Sequence, residues 1–228
     1  MRSDPFCSSR AAARELANLY VQQGDPKGWF DMLYRRAGGE AAVIPWADLR
    51  PNPHVVEWLS RAALPPRPRR ALVVGCGLGD DAELLASLGW SVVAFDISPE
   101  AIRWARQRFP RSQVDYRAVD LFQAPVEWQR QFDLVVEAYT LQVLPPALRA
   151  QAIPLVADWT AVGGLLILVA RGREESDPPG QMPWPLTQRE VRAFVTAGLD
   201  CQIFEDYMDR EEPAVRRFRA LFGRVEEG

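Results

Sequence analysis

Hydrophobic and polar positions follow one pattern in the first seventy residues and another in the rest. From Ala11 to Gln23 hydrophobic residues recur with helical spacing, whereas residues 25–53 are rich in turn-forming and aromatic side chains. A short helix is predicted from His54 to Ala63, and the proline-rich stretch from Leu64 to Arg70 reads as a stiff spacer. The pattern therefore predicts a helical N-terminal segment that leads into a differently built region.

From Arg70 onward, short apolar runs alternate with helical patterns, as in a parallel sheet with helices on both faces. The predicted strands are 71–74, 91–95, 114–119, 132–137, 165–170, 202–208 and 215–222. The predicted helices are 80–87, 98–107, 146–160 (kinked or split at Pro154) and 187–197. Because the last two strands are close in sequence, we expect them to pair as an antiparallel hairpin.

The fold class predicted is therefore α/β: a Rossmann-like, seven-stranded, mostly parallel sheet with an antiparallel C-terminal hairpin. We expect residues 70–228 to form the main domain and residues 1–69 to cover it as a helical lid within the same domain. An ordinary packing extension is the alternative for residues 1–69. The long loop from Arg171 to Leu186 is of a length that is usually functional or disordered.

A glycine turn follows the first predicted strand, with Gly75, Gly77 and Gly79 at alternate positions. Glycines between a strand and a helix allow the backbone to approach a ligand closely, because no Cβ is in the way. The second strand ends at Asp96, about 20 residues after the first glycine, where a carboxylate can accept from ribose hydroxyls. Together these features predict a nucleoside cofactor, in preference to a glycine turn without a ligand.

The spacing of the glycines narrows the choice of cofactor. Dinucleotide binding uses G-x-G-x-x-G, whose last glycine lets the helix meet a pyrophosphate. Here Asp80 occupies that last position, and its carboxylate would repel a pyrophosphate. The pattern therefore disfavours NAD and FAD.

Composition excludes several other classes. A net charge of −3 provides no basic field for a nucleic-acid partner. The three cysteines (Cys7, Cys76 and Cys201) are far apart, which favours a reducing compartment, and no cysteine or histidine spacing indicates a metal site. Residues 1–14 lack the apolar core of a signal peptide, and the longest apolar run, 165–170, is too short to span a bilayer. We expect a cytoplasmic protein without membrane or nucleic-acid partners; the oligomeric state stays open.

The order of strands, glycine turn, acid and final hairpin resembles the class I S-adenosylmethionine-dependent methyltransferases. That family usually has an acid two residues before the first glycine, where this chain has Val73. The missing acid, the Pro45-Trp46 dipeptide within residues 44–59, and the segment from Gln181 to Thr187 resemble the thiopurine, thiol and halide methyltransferase branch. The resemblance implies S-adenosylmethionine as cofactor and a small-molecule methyl acceptor.

The resemblance also implies roles for individual residues. Gly75, Cys76, Gly77 and Gly79 would line the methionine part of the cofactor, and Asp96 would bind the ribose hydroxyls. Ile97, Asp120 and Leu121 would contact the adenine, and Trp46 would cover the cofactor from the lid. Glu137, at the end of the fourth strand, would face the amino group of the cofactor and the substrate.

The nature of the acceptor decides which further residues are needed. Thiolate and halide acceptors need no general base at neutral pH, whereas oxygen and nitrogen acceptors often do. Polar candidates near the acceptor are Tyr139, Gln142, Arg171 and His54, although capping or packing is the commoner role for such a histidine. Arg171 follows the fifth strand, where ligands of such sheets bind, and could hold an anionic substrate.

The sequence leaves two alternatives to a thiol or halide methyltransferase open and disfavours a third. An oxygen or nitrogen methyltransferase of the same fold stays open, and so does a non-catalytic S-adenosylmethionine-binding sensor or partner-binding subunit. Nucleic-acid amino-methylases are disfavoured, because they need an Asn/Asp-Pro-Pro-aromatic run after the fourth strand. This chain has residues 137–141, Glu-Ala-Tyr-Thr-Leu, at that place.

Overall fold

The computed structural model of the chain describes residues 5–61 and 69–225, with side chains from residue 9 onward. Most of the predicted linker and the end of the helix predicted to reach Ala63 lie outside the described residues, as does the side chain of Cys7. The helices are α1 (Pro5–Gln22), α2 (Trp29–Ala37), α3 (Pro53–Arg61), α4 (Asp80–Ser87), α5 (Pro99–Arg108), α6 (Pro146–Asp158) and α7 (Gln188–Thr196). The strands are β1 (Arg70–Val74), β2 (Ser91–Asp96), β3 (Asp115–Ala118), β4 (Phe132–Ala138), β5 (Thr160–Arg171), β6 (Asp200–Met208) and β7 (Arg216–Gly223).

The seven strands form one sheet in the order β3-β2-β1-β4-β5-β7-β6. Strands β1 to β5 pair in parallel, and β7 runs antiparallel to both β5 and β6. This confirms the predicted fold class, including the antiparallel hairpin at the end. The order reverses at β1, where neighbouring crossovers diverge, and such a switch point leaves a crevice at the carboxyl ends of the strands.

Both faces of the sheet are buried, as the nearly continuous apolar runs of β1, β4 and β5 require. One face packs Leu72, Val135 and Leu168 against α6 and α7. The other packs Val73, Val136 and Val169 against α3, α4 and α5. The alternation along each strand therefore decides which layer of helices a side chain meets.

Local capping signals place two helices as predicted. Ser98 accepts a hydrogen bond from the Ala101 N–H and Pro99 takes the first helical position, so α5 begins where its sequence indicates. At the start of α7, Thr187 and Glu190 form a capping box in which each side chain accepts from the other's backbone N–H.

Two local predictions were wrong. Residues 25–53 contain the helix α2, which buries Trp29, Leu33 and Tyr34. The glycines and prolines that flank it in the sequence indicate turns and so obscure its helical pattern. The helix predicted to end at Thr160 ends at Asp158, because Thr160 pairs with Phe132 and begins β5. Helix α6 also runs through Pro154 without being split in two.

The N-terminal helices pack on the sheet domain through a third apolar cluster. Leu16 of α1 and Trp29 and Tyr34 of α2 share this cluster with Trp104 of α5 and Leu78 of the glycine turn. The N-terminal segment therefore lies over the carboxyl ends of β1 and β2, at the crevice of the sheet. We use the word lid for residues 5–61 as a name of position only: α1 and α2 lie over this crevice, whereas α3 packs on one face of the sheet.

Candidate functional site: a cavity between the lid and the sheet

A cavity of about 1100 Å³ lies between the lid and the carboxyl ends of the strands. Most of the residues predicted to bind a cofactor or an acceptor line it. These are Trp46, Gly75, Cys76, Gly77, Asp96, Ile97, Asp120, Leu121, Tyr139 and Arg171. His54 and Gln142, the further polar candidates, line it too. The topology thus brings together residues that are as far as 125 positions apart in the sequence.

The glycine turn has the backbone geometry that only glycine adopts without strain. Gly75 has a φ of +60°, and a Cβ there would lie 2.2 Å from the Thr140 hydroxyl oxygen. Gly77 has a φ of +51°, and its N–H donates to Asp96 Oδ2 at 3.0 Å. This hydrogen bond ties the turn to the end of β2, so the two sequence motifs form one wall.

Asp96 is held rigidly at this wall. Its Oδ1 accepts from the Ser98 N–H at 2.9 Å, while its Oδ2 accepts from Gly77. Burial raises the pKa of Asp96 to about 6, although the backbone N–H donors partly offset that rise. Each carboxylate oxygen has a further lone pair, and together these two could accept from a pair of hydroxyls.

The carboxylate after β3 already has a cation beside it. Asp120 Oδ2 accepts from the Lys27 ammonium group of the lid, and its Oδ1 accepts from the Phe122 N–H at 3.0 Å. The Lys27 Nζ also lies 5.0 Å from the centre of the Phe122 ring. The only lysine of the chain therefore joins the loop between α1 and α2 to this end of the sheet.

Aromatic side chains of the lid close the cavity above the glycine turn. The Trp46 indole N–H donates to the Tyr34 hydroxyl at 2.8 Å, and the two rings meet edge to face with centres 6.2 Å apart. Tyr34 is buried, and its hydroxyl would lie 3.3 Å from a Cβ placed on Gly77. The Trp46–Tyr34 pair thus faces the turn across a narrow gap.

Asp80, the residue that distinguishes the turn from a dinucleotide motif, is neutralised by an arginine. Arg108 of α5 donates two parallel hydrogen bonds to its carboxylate, at 2.7 and 2.8 Å. Arg108 also donates to the Leu78 carbonyl at 2.7 Å. The carboxylate therefore fastens α5 to the turn and α4.

Two residues predicted to be in the site do not line the cavity. Gly79 has a φ of +92°, and a Cβ there would lie 2.3 Å from the Tyr116 hydroxyl, so its small size accommodates β3. Glu137 is completely buried on the face of the sheet that meets α6 and α7. Its Oε1 accepts from the Leu141 N–H at 2.8 Å, and burial raises its pKa to about 7. Glu137 therefore fixes the loop after β4 from the face of the sheet that meets α6 and α7.

Tyr139 follows β4 and faces the cavity in a strained conformation. Its φ of +69° is in the left-handed region, which non-glycine residues rarely adopt and which is often found at functional sites. The Arg217 guanidinium carbon lies 5.2 Å from the centre of its ring. Burial raises the pKa of Tyr139 to about 12, so its phenol stays protonated at neutral pH.

The lone histidine also lies in this half of the cavity. His54 Nδ1 is 2.7 Å from the Tyr207 hydroxyl of β6, and both residues line the cavity. Burial, followed by the nearby Arg217 and Arg219, lowers the pKa of His54 below its usual value. The imidazole is therefore neutral at physiological pH and able to accept a proton.

Sequence reasoning missed several residues of the cavity, most of which come from elements distant in sequence from the glycine turn. Asp81, beside the turn, is a half-buried acid whose pKa rises to about 6 through desolvation, and it accepts from the Asn52 N–H at 2.7 Å. Tyr34 could have been found from the helical spacing of apolar residues in 29–37. Tyr207 and Arg217 carry no signal in the sequence, because only the pairing of the last hairpin brings them here.

In residues 5–61 and 69–225, no group of three or more histidine, cysteine, aspartate or glutamate side chains is arranged to hold a metal ion. No described helix is long and apolar enough to cross a membrane.

Cys76 and Cys201 are both free thiols, and burial raises the pKa of the Cys76 thiol well above its usual value.

The glycine turn and the strands around it are similar to known proteins. Residues 71–164 match a family model described as a methyltransferase domain. A ubiquinone biosynthesis O-methyltransferase of Xanthomonas axonopodis pv. citri is 38% identical over 96 residues, which are 41% of this chain and 40% of that protein. A probable thiol methyltransferase 2 of Arabidopsis thaliana is 30% identical over 102 residues, 45% of this chain and 42% of that protein. The chain thus spans about two fifths of the length of these relatives.

Solved structures extend the likeness of the fold. A SAM-dependent methyltransferase of Methanosarcina mazei superposes with a TM-score of 0.63 at 20% identity, covering 78% of this chain and all of that one. Proteins of similar fold have been solved with S-adenosylhomocysteine and with S-adenosylmethionine bound.

These matches support the predicted methyltransferase domain over residues 71–164, and the similarity to solved structures supports the predicted fold. They do not single out the thiopurine, thiol and halide branch, because relatives named for oxygen and for sulfur acceptors both match.

Proposed function

We propose that this protein is an S-adenosylmethionine-dependent methyltransferase that acts on a small molecule. The observation that carries the proposal is one continuous cavity with two chemically different halves. Next to the glycine turn it presents backbone and carboxylate acceptors, and beyond β4 it presents Tyr139, His54 and Arg171. Its volume, about 1100 Å³, is at the upper end of what single ligands occupy, which suits a cofactor together with a small acceptor.

The cofactor half assigns roles to this chain's residues. Gly75, Cys76 and Gly77 would lie along the methionine part, where the absence of side chains on the glycines permits close approach. Asp96 would accept from the ribose hydroxyls through its free lone pairs. Ile97, Asp120 and Leu121 would surround the adenine, and Trp46 would close over the cofactor from the lid.

When bound, S-adenosylmethionine supplies a methyl group that is already activated on a sulfonium. The protein then has to place the acceptor in line with the S–CH₃ bond and to exclude water. The lid and the strained loop at Tyr139 bound the space in which an acceptor would sit. Glu137, which holds that loop from the opposite face of the sheet, would act as a positioning residue.

Two acceptor classes are compatible with this half of the cavity. The lid motif around Pro45 and Trp46 supports a thiol or halide acceptor, through the resemblance to that branch. The contact between His54 and Tyr207 favours a second candidate, an oxygen or nitrogen acceptor that must lose a proton. A neutral imidazole beside the acceptor could take that proton as the new bond to carbon forms.

The experiment is a transfer assay with methyl-labelled S-adenosylmethionine and a panel of thiols, halides, phenols and amines. Calorimetry with S-adenosylhomocysteine is run in parallel. Binding together with turnover supports the proposal, and the acceptor that reacts identifies the class. Binding without turnover on any class would favour a non-catalytic sensor, and absence of binding would refute the proposal.

The His54→Gln variant separates the two acceptor classes. If the acceptor is protic, we expect its turnover to fall at least tenfold, with S-adenosylhomocysteine affinity unchanged. If the acceptor is a thiolate or a halide, turnover should change little. Tyr207→Phe serves as the companion variant, because it removes the hydroxyl that contacts His54 and leaves the ring in place.

A further inference from the structure

Arg171 lies at the carboxyl end of β5, beside the acceptor half of the cavity. Its backbone is fixed on both sides: its N–H donates to Gln142 Oε1 at 2.8 Å, and its carbonyl accepts from the Leu186 N–H at 2.8 Å. It pairs directly with Arg217 across the antiparallel strands β5 and β7. Residues so paired project from the same face of a sheet, so the two arginines are neighbours.

The other buried arginines of this face are fully paired with acids. Arg217 is held by Asp209 and by Glu211, both at 2.6 Å. Arg219 is held by a second pair of acids (Glu57 at 2.9 Å and Glu205 at 2.5 Å). Glu211, whose negative charge also acts on Arg171, is thus already engaged by Arg217.

For the Arg171 guanidinium, by contrast, no ion pair or hydrogen bond is found within residues 5–61 and 69–225. The side chain is half-buried, and burial together with the positive charges of Arg217 and Arg10 lowers its pKa. Burying a cation without a partner is unfavourable, and so is placing it opposite a like charge. At the ends of β5 and β7, Arg171 is thus the arginine whose positive charge an anion in the cavity can neutralise.

We propose that the methyl acceptor carries a carboxylate that binds Arg171. The inference rests on the proposed function, because it concerns the acceptor half of the same cavity. The guanidinium is planar, and a carboxylate can accept two parallel N–H bonds from it. Arg171 is thus a specificity-determining residue that selects small carboxylic acids over their neutral analogues.

The carboxylate of the cofactor is the competing source of negative charge. Arg171 lies on β5, two strands away from β1, whose glycine turn would hold the methionine part of the cofactor. Two strand spacings amount to about 10 Å, which places Arg171 on the acceptor side. The test therefore has to separate the affinity for an acceptor from the affinity for the cofactor.

The experiment compares benzoate with benzamide, and acetate with acetamide, in calorimetric titrations of the full chain. Each titration is run with and without saturating S-adenosylhomocysteine. We expect the wild type to bind the acids at least tenfold more tightly than the amides. The Arg171→Met variant should lose that preference, Arg171→Lys should retain part of it, and S-adenosylhomocysteine affinity should stay within threefold of the wild type in both.

Arg210→Met is the matched control, because Arg210 also lines the cavity but is exposed in the β6–β7 hairpin. It should retain the preference for acids. Thermal unfolding midpoints of all variants check that the fold is preserved. Equal binding of acids and amides by the wild type would overturn the inference, and so would a preference that survives Arg171→Met.

Two further outcomes are distinguishable from these. If Arg171→Met weakens S-adenosylhomocysteine binding instead, the guanidinium serves the cofactor and the inference is wrong. If the wild type does not bind S-adenosylhomocysteine at all, the proposed function fails. The titrations of the unloaded protein then still decide whether Arg171 selects carboxylates.

Discussion

Gly77 offers a test of the cofactor half in which backbone strain and site contact can be separated. Its φ is +51°, and an added Cβ would lie 3.3 Å from the Tyr34 hydroxyl, inside the cavity. Gly38, at the end of α2, has a nearly equal φ of +57°, and a Cβ there would meet nothing within 4 Å. Gly77→Ala and Gly38→Ala therefore carry the same backbone penalty but differ in their surroundings.

The expected magnitudes follow from that geometry. A Cβ in the left-handed region costs about 1–2 kcal/mol, so both variants should lose about that much free energy of unfolding. Only Gly77→Ala adds a methyl group beside Tyr34, whose hydroxyl is fixed by the Trp46 indole at 2.8 Å. Because this hydrogen bond limits how far the Tyr34 side chain can move, the added methyl group narrows the space for the cofactor. We expect a loss of affinity of at least about tenfold, or ~1.4 kcal/mol.

The assay combines urea unfolding with calorimetric titration of S-adenosylhomocysteine, on the wild type and both variants. Similar losses of stability, with weakened binding confined to Gly77→Ala, would support the reasoning. Wild-type affinity in Gly77→Ala would refute the assignment of the turn to the cofactor. Equally weakened binding in Gly38→Ala would show that general destabilisation, and not the contact, causes the effect.

Four further outcomes are expected. The affinity for S-adenosylhomocysteine, measured by calorimetry, should fall about tenfold from pH 7 to pH 5. Asp96, with a pKa of about 6, takes up a proton over this range and loses a hydrogen-bond acceptor. An affinity that does not change with pH would contradict this. The free energy of unfolding, measured by urea titration, should fall by at least ~1 kcal/mol as the pH rises from 5 to 7. The raised pKa values of Asp81, Asp96 and Glu137 make the folded state bind more protons than the unfolded chain in this range. A free energy of unfolding that rises with pH would contradict this expectation. Lys27→Met should tighten S-adenosylhomocysteine binding about two- to fivefold. The partly exposed ion pair between Lys27 and Asp120, worth ~0.5–1 kcal/mol, then no longer competes with the ligand for Asp120. Weaker binding would show that Lys27 assists the ligand instead. Glu137→Gln should change that affinity less than about threefold, since its carboxylate does not line the cavity, and a tenfold loss would restore the role that the resemblance implied.

The parts of the fold that were predictable are those specified by neighbouring residues. Ser98 and Thr187 cap their helices through atoms three positions away, so the sequence contains the whole interaction. Helix α2 was missed although its apolar residues have helical spacing, because the surrounding glycines and prolines favoured turns. The helical pattern extends to Thr160 in the sequence because its strand partner, Phe132, is remote and leaves no local signal.

The cofactor half of the site was more predictable than the acceptor half for the same reason. The turn at Gly77 and the acid Asp96 are 19 residues apart in one strand–helix–strand unit, and their hydrogen bond follows from that unit's geometry. The pairing of His54 with Tyr207 spans 153 positions, and it exists only because β6 and α3 meet on one face of the sheet. No local pattern encodes such a contact.

The alternation of side chains along the strands explains why Glu137 and Arg171 differ in their relation to the cavity. Glu137 pairs with Val74 and Leu168, whose side chains belong to the layer of α6 and α7, so its carboxylate is directed away from the lid. Arg171 is two residues beyond Val169, which faces the layer of α3, and so lies on the lid side of β5. Both residues lie near the carboxyl ends of their strands, so the sequence places them equally near the crevice. The parity of their positions, and not their distance from the strand end, decides which of them can touch an acceptor.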